Sequence, residues 1–431
     1  MSALPWRQRQ GLVALLATCV SPLLLAYIAW RQCGRRPLVG VGTKLTGHTG
    51  LPASETRPVL IHGVSLGEVA LMRPLVPALE RDVGRPCLLT TTTETGWQGL
   101  AKHFPNHART FFPFDVPWAV ERFLSETKPA AVILLEAEFW PVWLGACHRR
   151  GIPVALVNAR VSPRSFARFL TLRPFVRPLL AAYAVVAAQN GTYAARLRQL
   201  GCATAVPCGS LKADMVMLAP PAQITAEATR TGLVAERPVL LIASTSAGEE
   251  AAILAAWPAH TDWTIVICPR HPERGGELVD LCRSHGLRAA RTSLGQRLDD
   301  GEVLIVDEIG RLGALYGWCA QTSGIAIVGG SLGSGRGGQN MLEAAAARCA
   351  TVVGWDTRSQ PDSMHLLRAC GGVVEVTAAT LAPELAALAA DPARRAQLGN
   401  AGHAAWQAGQ GAAARVVRLL ARDLAPLLLR P

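Results

Sequence analysis

Lysine is almost absent. Only Lys44, Lys102, Lys128 and Lys212 occur in 431 residues, so the net charge of +12 rests on arginine. With 17% charged and 50% hydrophobic residues, the composition excludes a disordered or collagen-like chain and a coiled coil. Cys-x-x-Cys pairs are missing. The 11 cysteines are odd in number and scattered, which argues against a disulfide framework and a structural zinc site and suits a reducing compartment. Zinc-finger, RNA-recognition and basic-heptad patterns are missing too. The positive charge therefore points away from nucleic acid, toward a phospholipid surface or phosphorylated substrates. The chain is long enough for two or three domains.

One stretch carries no charge at all: residues 11–30, GLVALLATCVSPLLLAYIAW. About 20 apolar residues can just cross a bilayer as a helix. Arg7 and Arg9 precede the stretch, Arg31, Arg35 and Arg36 follow it, and Trp6 and Trp30 stand at its ends. No small-x-small cleavage site follows, so a membrane anchor is expected rather than a signal peptide. From Val59 onward apolar runs alternate with helical patterns. Strands are expected at Val59–Ile61, Cys87–Thr90, Ala131–Leu135, Val154–Val157 and Ala184–Ala188. The rhythm breaks around Pro220 and Pro221. It resumes with Val239–Ala243, Thr264–Cys268, Val303–Val306, Ile325–Val328 and Thr351–Val353. This βαβ alternation implies α/β architecture with two doubly wound, Rossmann-like domains. The expected division is an anchor and basic flank at 1–45, a domain at 46–215, a linker at 216–235, a domain at 236–405 and a C-terminal helix at 406–431. That last helix, Ala413–Leu429, is expected to pack across both halves.

Candidate chemistry sits just after the strands. Val59–Ile61 runs into His62-Gly63-Val64-Ser65-Leu66-Gly67-Glu68, a strand–turn–helix unit with a carboxylate in the first helical turn. An acid there either favours the helix dipole or serves as a general base at the mouth of the sheet. Glu136 and Glu138 directly follow a very apolar strand, where a charge is costly unless paired or functional. Thr90–Gly96 suits either polar substrate groups or an N-cap. Arg160, Arg164 and Arg168, interleaved with Phe166, Phe169 and Leu170, make an amphipathic basic stretch suited to lipid phosphates or simply to solvent. Lys212 supplies a compact ammonium for a phosphate or an oxyanion. In the second half, Ser246 and Glu249 form a capping-box pattern. Pro269-Arg270-His271, Asp307–Arg311 and the glycine-rich 329–343 loop each end a strand. No Gly-Lys-Ser/Thr closes that loop, so it is not a Walker motif. Three such loops in one domain point to a nucleotide pocket, with Glu343 placed to accept from ribose hydroxyls.

His62–Glu68, Thr90–Gly96, Phe112–Pro117, Glu136–Pro141, Asn158–Arg164, Gly209–Lys212, Pro269–Arg274 and Gly337–Glu343 resemble, in order, the motifs of the 3-deoxy-D-manno-octulosonic acid (Kdo) transferases. The resemblance covers roughly residues 58–375 and the anchor. It implies a GT-B glycosyltransferase, with two Rossmann-like domains facing a cleft. The implied enzyme is membrane-anchored, inverting and metal-independent, has no cofactor, and moves Kdo from CMP-Kdo to a lipid A precursor on the cytoplasmic face of the inner membrane. It implies Glu68 as the base, Glu136 and Lys212 as transition-state stabilisers, and Pro269, Arg270, Ile309, Gly310, Arg311, Asn340, Met341, Leu342 and Glu343 as CMP contacts. Arg160, Arg164 and Arg168 would face the bisphosphorylated acceptor and the anionic membrane. The family usually has histidine at the positions of Ser246 and Gln339, proline at Met341 and an acid at Arg311. WDTRSQ at 355–360 also departs from its usual His-Thr-x-Asn-Phe. These departures all fall in the nucleotide half. They leave open a different nucleotide-sugar donor, or a non-catalytic binder of anionic lipid.

Overall fold

In the computed structural model, residues 38–428 are described, apart from 53–55, 259–261, 301 and 334. The expected anchor at 11–30 lies outside the described residues. Among the described residues no helix is long and apolar enough to cross a membrane. The chain divides into two compact units, one comprising residues up to 215 plus 411–431, the other 216–410.

Seven parallel strands form the first sheet: β1 (Val59–His62), β2 (Cys87–Thr91), β3 (Ala108–Phe111), β4 (Ala131–Leu135), β5 (Val154–Ala159), β6 (Val185–Ala188) and β7 (Ala205–Pro207). Their order is β3-β2-β1-β4-β5-β6-β7. Both faces are covered by helices, so the central strands are apolar throughout rather than alternating. Ile61, Leu89, Ile133 and Val157 face one core, Leu60, Leu88, Val132 and Leu156 the other. The second sheet repeats the plan with β8 (Val239–Thr245), β9 (Thr264–Pro269), β10 (Ala289–Arg291), β11 (Val303–Ile305), β12 (Ile325–Val328), β13 (Ala350–Gly354) and β14 (Val374–Val376). Its order is β10-β11-β9-β8-β12-β13-β14.

Three stretches differ from expectation. Residues 41–46 form a short helix in the first unit rather than a flank: Lys44 is buried over the Phe111 ring and Trp118 donates to the Leu45 carbonyl at 2.9 Å. The 216–235 stretch contains helix Pro221–Thr231, which belongs to the second unit. Its Ile224 packs so closely on Gly317 that a Cβ there would come within 2.3 Å. The last helix, Ala412–Leu428, belongs to the first unit, where Val416, Val417, Leu420 and Leu424 complete one core. The Asp214 carboxylate anchors its start, accepting from the amides of Gly411 at 2.7 Å and Ala413 at 2.6 Å. The helix before it, Pro392–Gly409, lies in the second unit, so a boundary at 406 would cut it.

Leu420 is buried against the first sheet's core although it lies about 200 residues beyond that domain's last strand. Leu420→Ala is expected to destabilise the first domain by about 2–5 kcal/mol. Denaturant titration read from first-domain tryptophans checks this; an unchanged midpoint would show that the helix is dispensable.

Candidate active site

In the first sheet the strand order reverses between β1 and β4. Ligands of doubly wound sheets collect beyond the carboxyl ends of the strands at such a reversal. The chain leaves β1 through Gly63 and enters helix Leu66–Val83 with Glu68 in its first turn. A Cβ at Gly63 would come within 2.8 Å of the Glu68 Cβ, so the turn requires glycine to pack on that side chain. The chain leaves β4 directly into Glu136. The two acids therefore flank the reversal.

Glu68 is half-buried and serves as a cap. Its Oε2 accepts from the Ser65 amide at 2.8 Å and from the Ser65 hydroxyl. Oε1 has no hydrogen-bond partner among the described residues, so one oxygen positions the group and the other is open to chemistry. Behind the turn, His62 is fully buried, stacks on Phe112 at 3.8 Å and meets the Thr90 hydroxyl at 3.1 Å. Burial pushes its pKa down to about 3, so it stays neutral.

Glu136 has φ +67°, in the left-handed region, and is 7% exposed. A non-glycine residue held there costs about 1–3 kcal/mol, which the surroundings must offset. Arg160 pairs with its Oε2 at 2.8 Å, and Asn158 Nδ2 lies 3.5 Å from Oε1. Asn158 is itself left-handed, at φ +57°, and marks a bulge where the β5–β6 register shifts between Val157 and Ala159. Bulges of this kind re-aim side chains near sites. The Asn158 Oδ1 accepts from the Leu211 amide at 3.0 Å, which starts the short helix Leu211–Asp214 carrying Lys212. Burial raises the Glu136 pKa. The charges of Arg160 and Lys212 act against that, and Glu68 adds to it. Glu68 and Lys212 both lie near enough to Glu136 for their charges to act on it, which groups the three around that carboxylate. Arg160 belongs to the cluster as the partner of Glu136, whereas Arg164 and Arg168 are exposed on helix Pro163–Thr171. The Thr90–Gly96 hydroxyls serve mainly structure. Thr91 and Thr93 donate to the Val64 carbonyl, and Thr93 caps the next helix through the Gly96 amide at 3.1 Å.

In the second sheet the reversal falls between β8 and β12. The three expected loops follow β9, β11 and β12. Pro269 ends β9, and the Arg270 amide donates to the Thr245 carbonyl at 3.1 Å. Ile309 is 85% exposed and Gly310 has φ +89°. Arg311 lies 3.4 Å from both Glu227 and Glu308, and Arg230 binds the same two acids at 2.5 and 2.8 Å. The arginine at 311 is thus neutralised within its own domain. Asn340 Nδ2 donates to Glu343 Oε1 at 2.9 Å. Met341 and Leu342 are buried in the core, so only their backbone can meet a ligand. The expected Ser246–Glu249 capping box is not formed: Gly248 precedes helix Glu249–Ala256 and the Ser246 hydroxyl caps no amide, so only the Glu249 half of the pattern is present, and it reaches further than expected. The Glu249 carboxylate accepts from the amides of Ser246, Gly330 and Leu332 at 2.8, 2.7 and 2.8 Å.

Three features here have no role in the sequence pattern: Asn158, the reach of Glu249, and Glu138. An asparagine ending a buried strand was the available signal for the first, because asparagine tolerates the left-handed region. Burial pushes the Glu138 pKa from 4.5 up to about 7, with Glu68 and Glu136 adding to the effect and Trp140 acting against it. The folded state therefore binds this proton more tightly than the unfolded chain. Stability is lost as pH rises from about 4.5 to 7, and the loss is complete above that range. Glu138→Gln removes the penalty, so its thermal midpoint should gain on wild type more at pH 8 than at pH 5. An equal difference at both would contradict the assignment.

The comparisons agree on one family. Residues 41–215 match the family model described as 3-Deoxy-D-manno-octulosonic-acid transferase (kdotransferase). The 3-deoxy-D-manno-octulosonic acid transferase of Bordetella pertussis is 37% identical over 382 residues, 84% of this chain and 86% of that one. The enzyme of Haemophilus influenzae is 30% identical over 373 residues, with the same coverage of 84% and 86%. Among solved structures, Anabaena HepE in complex with UDP aligns at TM-score 0.56 and 13% identity, over 86% of this chain and all (100%) of that one. The UDP-GlcNAc 2-epimerase of Neisseria meningitidis aligns at TM-score 0.57 and 15% identity, over 85% of this chain and 100% of that one. These two likenesses show the shared two-domain fold alone. With the extent of the sequence matches, the chain belongs to the 3-deoxy-D-manno-octulosonic acid transferase family of glycosyltransferases.

Proposed function

We propose that this Kdo transferase takes Kdo from CMP-Kdo and places it, with inversion and without a metal or cofactor, on a lipid A precursor at the cytoplasmic face of the inner membrane. The observation that carries the reading is the cluster at the β1/β4 reversal: Glu68 with one open carboxylate oxygen, and Glu136 held between Arg160, Asn158 and the charge of Lys212. In this mechanism Glu68 accepts the proton of the acceptor hydroxyl as its oxygen forms a bond to the anomeric carbon. The bond from that carbon to the CMP phosphate breaks, and the electron pair leaves on phosphate. Oxocarbenium character on the sugar calls for a nearby carboxylate, and negative charge on the phosphate calls for cations. Glu136 and Lys212 fill those roles. Pro269, Arg270, Ile309 to Arg311 and Asn340 to Glu343 bind the nucleotide, with Met341 and Leu342 contributing backbone only.

Glu68→Gln is the informative variant, because glutamine also caps a helix at this position. It should keep the fold while lowering kcat about 10²–10⁴-fold. The assay is CMP release from CMP-Kdo with a tetra-acylated lipid A precursor. A variant as fast as wild type would remove Glu68 from the chemistry. Preference for a UDP-sugar would overturn the donor and leave glycosyl transfer standing. A wild-type protein that binds the lipid and turns over no donor would favour the binding-module reading.

The acceptor side rests on a second feature. Helices Pro163–Thr171 and Arg173–Leu180 expose Arg164, Arg168, Arg173 and Arg177 beside Leu170, Leu172 and Phe175, the last 73% exposed. Basic side chains near an anionic lipid surface contribute about 1 kcal/mol each. The double variant Arg164→Ala/Arg168→Ala should raise the KM for acceptor in anionic vesicles severalfold and leave kcat near wild type. An unchanged KM at low salt would contradict a lipid-facing role.

A further inference from the structure

The crevice at the β8/β12 reversal looks like an anion site made of backbone amides, but those amides are already occupied. Glu249, 2% exposed, takes the amides of Ser246, Gly330 and Leu332. The glycine-rich loop comes down onto it: a Cβ at Gly329 would lie 2.5 Å from the Thr245 Cα and 2.9 Å from Glu249 Oε2. These three amides are therefore not free to hold an anionic oxygen, as the N–H groups of a phosphate-binding loop are.

Two hydroxyls remain. Thr245 is fully buried and Ser246 is 7% exposed, and neither side-chain oxygen has a hydrogen-bond partner among the described residues. Buried polar atoms without partners are rare in native proteins and call for an explanation. The backbone here is also distorted. Ser244 has φ +54°, and the β8–β9 register shifts between Ala243 and Thr245. That bulge sets where Thr245 and Ser246 point. It also brings in Arg270, whose amide is tied to the Thr245 carbonyl and whose guanidinium has no ion-pair partner among the described residues.

We propose that the Ser246 hydroxyl, with Thr245 beside it, donates a hydrogen bond to an anionic oxygen of the nucleotide-sugar donor, and that Glu249 is the positioning residue that closes the amides and holds the two loops in place. The oxygen belongs either to the donor's phosphate or to the carboxylate of its sugar. The proposal rests on the reading of this domain as the donor-binding half. A hydroxyl supplies one donor on a short arm, so the subsite selects by geometry where an open amide nest would accept most phosphates.

The test uses full-length protein and the variants Ser246→Ala, Ser246→Thr and Thr245→Val. Each is measured for CMP affinity by calorimetry, for kcat/KM with CMP-Kdo, and for the thermal midpoint without ligand. Loss of a hydrogen bond to a charged oxygen should reduce kcat/KM of Ser246→Ala about tenfold or more. Ser246→Thr, which keeps the hydroxyl, should retain most of it. The ligand-free midpoint of Ser246→Ala should equal or exceed that of wild type, because the hydroxyl it removes has no partner. CMP affinity falling in step with kcat/KM assigns the oxygen to phosphate; unchanged CMP affinity with reduced kcat/KM assigns it to the sugar carboxylate. A Ser246→Ala protein with a lower midpoint, or with wild-type affinity and kcat/KM, overturns the proposal. Should wild type prefer UDP and a UDP-sugar, the CMP-Kdo assignment fails and the same comparison on those ligands decides the subsite. A wild-type protein that binds neither nucleotide overturns both.

Discussion

A carboxylate buried at the end of an apolar strand organises the first domain. Glu136 leaves β4 in a left-handed conformation with almost no exposure, and neither its charge nor its backbone would be tolerated there without partners. Arg160 neutralises it, and Asn158 reaches it from a bulge in the neighbouring strand. Asn158 also fixes the helix that carries Lys212, so one asparagine sets the spacing of a carboxylate and a lysine some 76 residues apart in the chain. Removing Arg160 or Asn158 leaves the buried Glu136 carboxylate short of a partner, and these partners come from a different strand and loop, so the cluster is an arrangement of the whole sheet end rather than of one loop.

The second domain meets a comparable constraint with different residues. Ser244 is left-handed and bulges β8 as Asn158 bulges β5. Glu249 then ties the loop after β8 to the loop after β12, across the strand-order reversal. In both sheets a left-handed non-glycine residue bulges a strand just before its carboxyl end, and a buried carboxylate stands just beyond a strand end, where doubly wound sheets take their ligands. The second domain also absorbs the arginine at 311 into a four-member network with Glu227, Arg230 and Glu308. Its positive charge is thereby balanced by acids of the same domain.

How much of this was legible depended on burial. The ten strands expected from apolar runs are all present, and the four that were not expected, β3, β7, β10 and β14, are the four sheet edges. Edge strands such as Ala108–Phe111 and Val374–Val376 are partly exposed and mix polar with apolar residues, so they carry no continuous run. Glu136 stands out because a charge directly after an apolar strand is conspicuous, whereas Glu68 and Lys212 stand out through the resemblance to the Kdo transferase motifs. The roles of Asn158 and Glu249 are not visible in the sequence, because each acts on groups far away in the chain. Helix Pro221–Thr231 reads as a linker in the sequence because of its two prolines, yet proline is well suited to a first helical turn. The last helix is legible as an element, but the expectation that it packs across both halves fails, because no local pattern reveals which core an amphipathic helix joins.

The central claim is that an open carboxylate oxygen at position 68 takes a proton during transfer, and chemical rescue tests it most directly. Glu68→Ala leaves a small gap at the helix start, and formate is a carboxylate small enough to enter it. The account predicts that Glu68→Ala is inactive with CMP-Kdo and acceptor, and that millimolar formate restores CMP release in a saturable way while leaving wild type unaffected. Full activity of Glu68→Ala without formate would contradict it.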